Sequence, residues 1–389
     1  MRYWDPLYGE WELPEILARL ARTREMQRLR GITQSDLPNF LLLRGPMPSR
    51  FQHGLGVAYL ACLLFAHNRH LVDEYLPLLP AAALLHDAGS PPFSHLGEHF
   101  LREVTGKDGE EFLMDILDGS KTERILRDYD IFIEDVLDLV TGRKQPIAAV
   151  LNGSLDIDNL DNIARYHAAV GLGSAPYRPT LIALCFRHLA SSDEWFLMDY
   201  CYPETKKWQE ARAAVYSAIY APEHLSVSRM VYRALEIAFT EGEIGRDFFF
   251  LDDAAGLAYL AERCNRRTAY LIRKAIAWEW YEEIVSIATD SPGPGLQCLA
   301  SHWTGRRRLA DLICAGARIA PQHVCVYAGK GKDRRDVTVR FIDAGGNCVK
   351  QCPYTAAVKP VYRLKIYAPY GLSRRTKMKI AEIAASAVE

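Results

Sequence analysis

A cluster of helix-breaking residues near position 290 constrains the fold more than any other feature of the sequence. Residues 290–295 read Asp-Ser-Pro-Gly-Pro-Gly, and such a run of prolines and glycines interrupts a helix or a strand. Before it, apolar residues recur at helical spacings, whereas short β-branched and aromatic runs follow it. We therefore predict a mainly α fold, with a helical body over residues 1–290 and a small C-terminal α+β appendage over residues 291–389 that serves regulation or oligomerisation.

The individual elements follow from the period of the apolar residues. The predicted helices of the body cover residues 14–30, 55–65, 80–89, 110–117, 131–141, 158–170, 207–220, 227–240, 253–263 and 269–287. In the appendage we predict strands over residues 324–327, 337–342 and 361–367, followed by a closing helix over residues 376–388.

Composition excludes several classes of protein. The 47 basic and 48 acidic residues give a net charge of −1, which excludes the strongly basic proteins that coat duplex nucleic acid. No run approaches the ~20 apolar residues of a membrane span, and the first residues lack the apolar core of a secretory signal. The nine cysteines include no Cys-x-x-Cys pair, so we expect reduced thiols. These features predict a cytoplasmic protein without a membrane partner.

Four residues have the chemistry of a metal site: His53, the adjacent pair His86 and Asp87, and Asp158. Imidazole nitrogens and carboxylate oxygens together suit a divalent ion and leave coordination positions open. The wide gaps between the residues fit ligands delivered by separate helices of a bundle. Taken singly, each residue is more often structural, because a lone histidine on an apolar helix is usually a hydrogen-bonded core residue and an aspartate beside a helix is usually a cap.

The sequence that flanks these four residues favours the metal-site interpretation over the structural one. Residues 50–57 read Arg-Phe-Gln-His-Gly-Leu-Gly-Val, residues 86–98 read His-Asp-Ala-Gly-Ser-Pro-Pro-Phe-Ser-His-Leu-Gly-Glu, and residues 156–165 read Asp-Ile-Asp-Asn-Leu-Asp-Asn-Ile-Ala-Arg. In this order, the three segments closely resemble the HD-domain superfamily and, within it, the deoxynucleoside triphosphate triphosphohydrolases. Residues 5–9 and 27–34 also resemble that branch. The resemblance covers residues 5–285 and implies an HD-domain helical bundle for the body.

The resemblance implies that His53, His86, Asp87 and Asp158 bind one divalent metal ion, with Mn, Mg, Fe, Co, Ni and Zn not distinguishable. It also implies that the catalytic histidine and glutamate are His95 and Glu98. A physical argument agrees, because Ser94 can cap a helix on which residues 95 and 98 are neighbours. Such a pair can take a proton from a water molecule and stabilise the resulting imidazolium.

Three further residues are candidates for substrate binding. Arg50 lies one helical turn before His53 and offers a forked donor to phosphate. Gln34 is placed by the resemblance near the sugar or the α-phosphate of a nucleotide. Arg165 follows Asp158 by two turns and can face the same cleft, or it can be a surface arginine paired with Asp161 at i, i+4.

The implied activity is hydrolysis of deoxynucleoside triphosphates to deoxynucleoside and tripolyphosphate. Some phosphate-binding positions of the family differ here. Ser90 replaces a histidine of the metazoan enzymes, Asn159 and Asn162 replace a lysine and a tyrosine, and residues 107–110 lack a second histidine. Two alternatives therefore stay open: an HD-domain phosphohydrolase of another nucleotide or phosphoester, and a non-catalytic nucleotide-binding HD scaffold.

Three basic clusters lie outside the predicted catalytic body: residues 306–308, residues 330–335 and residues 374–379. A charge run is usually a solvated face, which is our main interpretation, and an anion site for a regulatory nucleotide or single-stranded nucleic acid is the alternative. The family resemblance implies a nucleotide substrate, allosteric regulation and a homo-oligomer.

Overall fold

The computed structural model describes residues 1–42, 46–331, 337–354 and 361–388. The described part contains eighteen α-helices and nine strands. The body helices are α1 (Glu15–Leu20), α2 (Arg24–Arg28), α3 (Arg50–Leu64), α4 (Val72–Tyr75), α5 (Leu78–Leu85), α6 (His95–Thr105), α7 (Gly109–Leu117), α8 (Lys121–Arg127), α9 (Ile133–Val140), α10 (Ile157–Ala169), α11 (Pro179–Cys185), α12 (Tyr202–Ile219), α13 (Pro222–Thr240), α14 (Asp253–Glu262) and α15 (Arg266–Ile276). The C-terminal helices are α16 (Pro294–Ser301), α17 (Trp303–Ala317) and α18 (Arg374–Ser386).

The strands form three small sheets. They are β1 (Arg2–Asp5), β2 (Gly9–Glu12), β3 (Phe186–Leu189), β4 (Glu194–Met198), β5 (Glu282–Thr289), β6 (Cys325–Lys330), β7 (Val337–Ile342), β8 (Cys348–Tyr354) and β9 (Tyr362–Ala368). Strands β1 and β2 form an antiparallel hairpin, and the other two sheets have the orders β3-β4-β7-β8 and β5-β9-β6. The predicted fold class, mainly α with a small C-terminal region that contains strands, is confirmed.

The region around residue 280 differs from the prediction of a helix over residues 269–287. Helix α15 ends at Ile276, and Trp278 follows with a φ of 59°. A bulky residue rarely adopts this left-handed backbone conformation, and it reverses the chain after the helix. The β-branched residues beyond it then form β5, which pairs with β9 in antiparallel register. The helical prediction was wrong for this half of the segment because apolar spacing in a short run does not distinguish the two structures.

The core consists of two clusters of buried apolar side chains. The larger cluster fills the helical body, and the smaller one lies between the sheet β5-β9-β6 and helices α16, α17 and α18. Strand β5 lies before the predicted division at residue 290, and β7 continues the sheet of β4 through a parallel pairing. Strands from both sides of that division therefore pair with one another. The division itself stays a prediction.

Helices α3 and α5 approach each other at Gly54. A Cβ atom on this residue would lie 2.7 Å from the carbonyl oxygen of Leu84, closer than atoms pack without displacement. The two helices are therefore in main-chain contact at the level of the predicted metal ligands. Among the described residues no single helix is long and apolar enough to cross a membrane, and α3 passes that test only together with residues 69–75, as a pair bent by 114°.

Candidate metal centre and its cavity

Three helices deliver the four predicted ligands. His53 lies in the first turn of α3, where Ser49 and Gln52 form a reciprocal capping box. His86 and Asp87 follow directly after α5. Asp158 is the second residue of α10, whose first turn is fixed by hydrogen bonds at the N-terminus. Each ligand therefore lies at or near a helix end, where a polar side chain can leave the apolar packing of the bundle.

The ligand atoms of His53, His86 and Asp158 all lie within 4.8 Å of one another, and Asp87 lies beside the two histidines. The Oδ1 atom of Asp158 lies 2.8 Å from Nε2 of His53 and 3.8 Å from Nε2 of His86. The Oδ2 atom of Asp87 lies 3.8 Å and 3.4 Å from the same two nitrogens. The structure thus brings together all four residues that the sequence predicts as ligands.

The arrangement fits a divalent ion. His86 Nε2 and Asp87 Oδ2 are buried and have no hydrogen-bond partner within the described part of the chain. Buried polar atoms are normally satisfied, so two unsatisfied ligand atoms side by side indicate a missing partner. Two imidazoles and two carboxylates are a donor set that divalent metals accept.

Outer hydrogen bonds orient these ligands. His53 donates Nδ1–H to Oδ1 of Asp161 at 2.7 Å, and His86 donates Nδ1–H to the carbonyl of Ala83 at 2.8 Å. This assignment of the tautomers follows from the hydrogen-bond network, because both acceptors lack a proton. It turns each Nε2 toward the cluster, where release of the Nε2 proton of His53 on metal binding would free a lone pair for the ion. Asp161 was not predicted to have this role, although it lies three residues after Asp158 and thus on the same side of α10.

Charges in the cluster influence one another strongly. Burial lowers the pKa of His53, but hydrogen bonds to Asp158 and Asp161 outweigh it and raise that pKa to about 9. Burial raises the pKa of Asp87, but Arg50, His86 and His53 hold it well below its usual range. Arg50 donates from Nη1 to Asp87 Oδ1 at 2.6 Å. Asp87 and Asp158, the two aspartates predicted as ligands, are therefore ionised at neutral pH.

Arg165 does not line the cavity, contrary to the prediction that it binds substrate. It is 6% exposed and donates to Asp161 Oδ1 at 2.6 Å and to Asp5 Oδ2 at 2.8 Å. The alternative pairing with Asp161 is the observed one, but at a buried position. Gly56 on α3 makes room for this pair, because a Cβ atom there would overlap both Asp161 and Arg165. Arg165 thus acts behind the ligands and supports the acceptor of His53.

His95 and Glu98 lie together at the N-terminus of α6 and line the same cavity as the four ligands. Nδ1 of His95 is 2.9 Å from Oε1 of Glu98. Glu98 raises the pKa of His95 against the opposing effect of burial. Burial raises the pKa of Glu98, but His95 outweighs it and lowers that pKa to about 2. The carboxylate therefore accepts from Nδ1 and leaves Nε2 of His95 available for proton transfer.

The turn before α6 has an unusual backbone. Phe93 and Ser94 have φ values of 63° and 49°, which side-chain-bearing residues seldom adopt. Ser94 does not cap α6 as predicted, because its hydroxyl donates to the carbonyl of Thr33 and accepts from Arg50. Asp253 on α14 accepts from the main-chain N–H groups of Phe93 and Thr33 at 2.7 Å and 2.9 Å. A strained turn held from three sides thus sets the position of His95.

Gln34 and Arg50 line the cavity as predicted substrate-binding residues should, although their contacts with substrate stay a prediction. Both side-chain atoms of Gln34 that can hydrogen-bond are buried and have no partner in the described structure. The cavity has a volume of about 780 Å³, within the range of roughly 300–1,000 Å³ typical of ligand pockets. Its size accommodates a nucleotide-sized molecule.

The cavity walls include residues that were not predicted as part of the site. The additional polar lining residues include Asp36, His99, Glu110, Asn162, Tyr166, Arg229, Tyr232, Arg306 and Lys330. Burial, Asp108 and Asp158 raise the pKa of Glu110 to about 7. Arg306 and Lys330 belong to two of the basic clusters that were predicted to lie outside the catalytic body. The prediction was wrong for these two residues, because α17 and β6 pack against the body. Residues 332–335 of the second cluster lie outside the described residues.

The segment that carries this geometry matches the HD domain family over residues 50–166. This match covers less than half of the chain. The matched segment begins at Arg50, includes all four metal-ligand candidates and the His95–Glu98 pair, and ends one residue after Arg165. The sequence prediction of an HD-domain protein is confirmed.

Known relatives extend this assignment. An uncharacterized protein of Methanocaldococcus jannaschii is 25% identical over 289 residues, covering 72% of this chain and 60% of that protein. The deoxynucleoside triphosphate triphosphohydrolase of Xenopus laevis is 38% identical over 98 residues, 24% of this chain and 15% of that enzyme. The chain thus spans less than two thirds of these curated relatives. A phosphohydrolase structure from Bacteroides thetaiotaomicron matches with a TM-score of 0.69 at 19% identity, covering 95% of this chain and 99% of that one, which shows a shared fold.

Proposed function

We propose that this HD-domain protein is a metal-dependent phosphohydrolase that converts deoxynucleoside triphosphates to deoxynucleoside and tripolyphosphate. The observation that carries the proposal is the pair of unsatisfied, buried ligand atoms, His86 Nε2 and Asp87 Oδ2, in one cavity with His95 and Glu98. The similarity to a deoxynucleoside triphosphate triphosphohydrolase over 98 residues supports the choice of substrate. A metal centre beside a proton-transfer pair can supply both an activated water molecule and charge stabilisation for phosphoester hydrolysis.

His53, His86, Asp87 and Asp158 would hold the ion. When bound there, a divalent ion supplies Lewis acidity, which lowers the pKa of a water molecule and polarises a phosphoryl oxygen. Nε2 of His95 accepts the proton of the attacking water, and Glu98 stabilises the imidazolium through Nδ1–H. The water oxygen bonds to the α-phosphorus while the bond from that phosphorus to the sugar O5′ breaks. The leaving O5′ takes a proton from solvent, and His95 returns to solvent the proton that it accepted.

Arg50 and Gln34 orient the substrate in this proposal. Arg50 is held by Asp87 and Ser94, so its guanidinium is fixed before substrate arrives and can direct a remaining N–H group at a phosphate oxygen. The side-chain amide of Gln34 has no partner in the described structure and can hydrogen-bond the sugar or the α-phosphate. Pre-positioned donors lower the cost of ordering the substrate.

The reaction is tested by product analysis. Each deoxynucleoside triphosphate, singly and mixed, is incubated with the protein and Mn²⁺, Mg²⁺ or Co²⁺, and the products are separated by anion exchange. We expect deoxynucleoside and tripolyphosphate in equal amounts. Release of orthophosphate or pyrophosphate without tripolyphosphate would overturn the assignment of the reaction.

A second candidate is hydrolysis of another nucleotide or phosphoester by the same centre. It is favoured by Asn159, which replaces a phosphate-binding lysine of the metazoan family members and accepts a hydrogen bond from Arg212 at 3.1 Å. A panel of nucleoside monophosphates, signalling nucleotides and generic phosphoesters, assayed beside the deoxynucleoside triphosphates, separates the two candidates. The preferred substrate is the one with the highest kcat/KM.

A non-catalytic scaffold makes the opposite prediction for His95. Under the enzymatic proposal, His95→Ala abolishes turnover while the metal content of the protein stays the same, because His95 is not a ligand. Regulation by a nucleotide or single-stranded nucleic acid, and assembly into a homo-oligomer, are part of the proposal through the similarity to the triphosphohydrolases. A flat activity curve on addition of each deoxynucleoside triphosphate and of single-stranded DNA would contradict regulation.

A further inference from the structure

Two arginines are buried at the part of the cavity formed by α6, α13 and α17. Arg229 on α13 is 8% exposed, and Arg306 on α17 is 7% exposed. The ring of Tyr232 lies between them, with its centroid 4.9 Å from the Cζ atom of Arg229 and 6.0 Å from that of Arg306. All three residues line the cavity that contains the metal ligands. We refer to Arg229, Tyr232 and Arg306 as the arginine pocket.

No carboxylate among the described residues pairs with the arginine pocket. Arg229 donates to the hydroxyl of Ser228, and Arg306 donates to the carbonyls of Leu299 and Ala300. Neither guanidinium forms an ion pair with a carboxylate in the part of the chain that the structure describes, and both Nε atoms there are buried without a hydrogen bond. Burying a charge without a partner is costly, so the pocket is built for a ligand that brings negative charge.

Arg233, one turn further along α13, shows how the protein treats a buried arginine that has only a structural role. It is paired with Glu236 on its own helix and with Asp311 on α17 at 2.9 Å. In the described structure, the same two helices thus supply acidic partners for one buried arginine and none for the two arginines that face the cavity. Arg233 does not line the cavity, whereas Arg229 and Arg306 do.

The positive charge of the arginine pocket affects a residue on α6, the helix that carries His95 and Glu98. Burial, and then Arg306 and Arg229, lower the pKa of His99 to about 4, and the ring of His99 lies 6.3 Å from that of Tyr232. His99 is four residues after His95 on α6, which is a rise of about 6 Å along the helix. An anion in the arginine pocket would therefore lie about one helical turn beyond the proton-transfer pair.

We propose that the arginine pocket is a subsite for a phosphate group, occupied by a distal phosphate of the substrate's polyphosphate chain. The assignment to the substrate rests on the proposed function, whereas the phosphate site itself does not. Two guanidinium groups present forked donors that match phosphate oxygens. They also supply, from α13 and α17, the positive charge that Asn159 and Asn162 do not supply. Because Arg306 belongs to the C-terminal region, that region contributes directly to substrate binding.

The test is binding of inorganic tripolyphosphate to the full-length protein in excess chelator, measured by isothermal titration calorimetry. We expect Arg229→Gln and Arg306→Gln to weaken binding about tenfold or more, the loss of a charge-assisted hydrogen bond in each case. Arg267→Gln, at an exposed arginine of α15, serves as the matched control and should bind like the wild type. Arg229→Lys and Arg306→Lys, which keep the charge, should bind more tightly than the glutamine variants.

Unchanged tripolyphosphate binding in both glutamine variants, with folding verified by circular dichroism, would overturn the subsite. Orthophosphate distinguishes the source of the ligand. Tighter binding of tripolyphosphate supports a substrate chain, whereas equal arginine-dependent affinity for orthophosphate supports the subsite and overturns its assignment to the substrate. No turnover and no metal are involved, so failure of the proposed hydrolysis would leave this result intact, and the converse also holds.

Discussion

Asp161 determines how His53 presents itself to a metal ion. Its Oδ1 atom accepts from His53 and from Arg165, and its Oδ2 atom accepts from the hydroxyl of Tyr8 at 2.7 Å. The carboxylate is fully buried and thus has no rotational freedom. The imidazole of His53 is fixed in one tautomer and one orientation as a result.

We therefore expect Asp161→Asn to weaken metal binding roughly 10- to 100-fold, the usual effect of losing a partner that orients a ligand. An asparagine offers only one acceptor oxygen where three donors converge. The affinity is measured by competition with a chromogenic chelator. Asp290→Asn, at an exposed carboxylate, is the control; equal affinities of the two variants would contradict the role of Asp161.

The His95–Glu98 pair predicts a pH effect. Glu98 raises the pKa of His95, and His95 must be neutral to accept a proton, so activity should fall as the pH drops through that pKa. Removing the carboxylate in Glu98→Gln lowers the pKa of His95, and the acid limb of the kcat/KM profile should move to lower pH. Glu134→Gln on the exposed side of α9 should leave the limb in place. A limb that stays or moves upward in Glu98→Gln would contradict His95 as the base.

Sequence motifs predicted the site residues that lie within recognisable local segments. They did not predict site residues whose position depends on contacts between distant parts of the chain. His53, His86, Asp87 and Asp158 lie together as the motifs around them predicted. Arg165 was assigned to the cavity because its partner Asp5 is 160 positions away, and a sequence pattern does not reveal such a pairing. Arg229 and Arg306 were not assigned to the site, because a sequence pattern does not reveal that α13 and α17 face the same cavity.

Close contacts between elements depend on Gly56 in helix α3. Because a Cβ atom would overlap Asp161 and Arg165, Gly56→Ala should lower the free energy of unfolding by about 1–3 kcal/mol, the usual cost of overpacking. The measurement is urea denaturation. Gly305→Ala in α17 is the matched control, since its Cβ atom would be 3.7 Å from its nearest neighbour, and it should stabilise by about 0.5–1 kcal/mol. Equal effects would contradict the packing argument.

The boundary between α15 and β5 shows the limit of periodicity at the element scale. Residues 269–287 have apolar residues at spacings that fit a helix, yet the chain reverses at Trp278 and its second half pairs with β9. The partner strand lies some eighty residues later in the sequence. Strand pairing over such a separation overrides a weak local preference.

At the scale of the whole molecule, the buried Arg233 of α13 pairs with the buried Glu236 on its own helix and with the partly exposed Asp311 of the C-terminal region. Arg233→Met removes the charge that neutralises Glu236, and we expect it to lower the free energy of unfolding by about 3–5 kcal/mol. Arg307→Met, which removes an exposed partner of Asp311, should cost less than about 1 kcal/mol. Chemical denaturation measures both values. Similar losses in the two variants would contradict a special role for the buried pair.

Removal of the metal should also lower the stability of the whole folded chain. An ion that binds only the folded protein stabilises it by about 2.7 kcal/mol at a hundredfold excess over Kd, so excess chelator should lower Tm. His86→Ala lacks one ligand, and its Tm should be insensitive to chelator. A wild-type Tm that does not respond to chelator after verified metal loading would contradict the assigned centre.

The main-chain contact at Gly54 has a consequence for how this protein can change over evolution. The separation of α3 from α5, and with it the spacing of His53 from His86, is set by backbone atoms rather than by the volume of intervening side chains. Apolar residues elsewhere in the bundle can therefore be exchanged, lineage by lineage, without retuning the ligand geometry. Substitution of this glycine, in contrast, would force the two helices apart and change the spacing of the two histidines, so we expect this position to tolerate little variation.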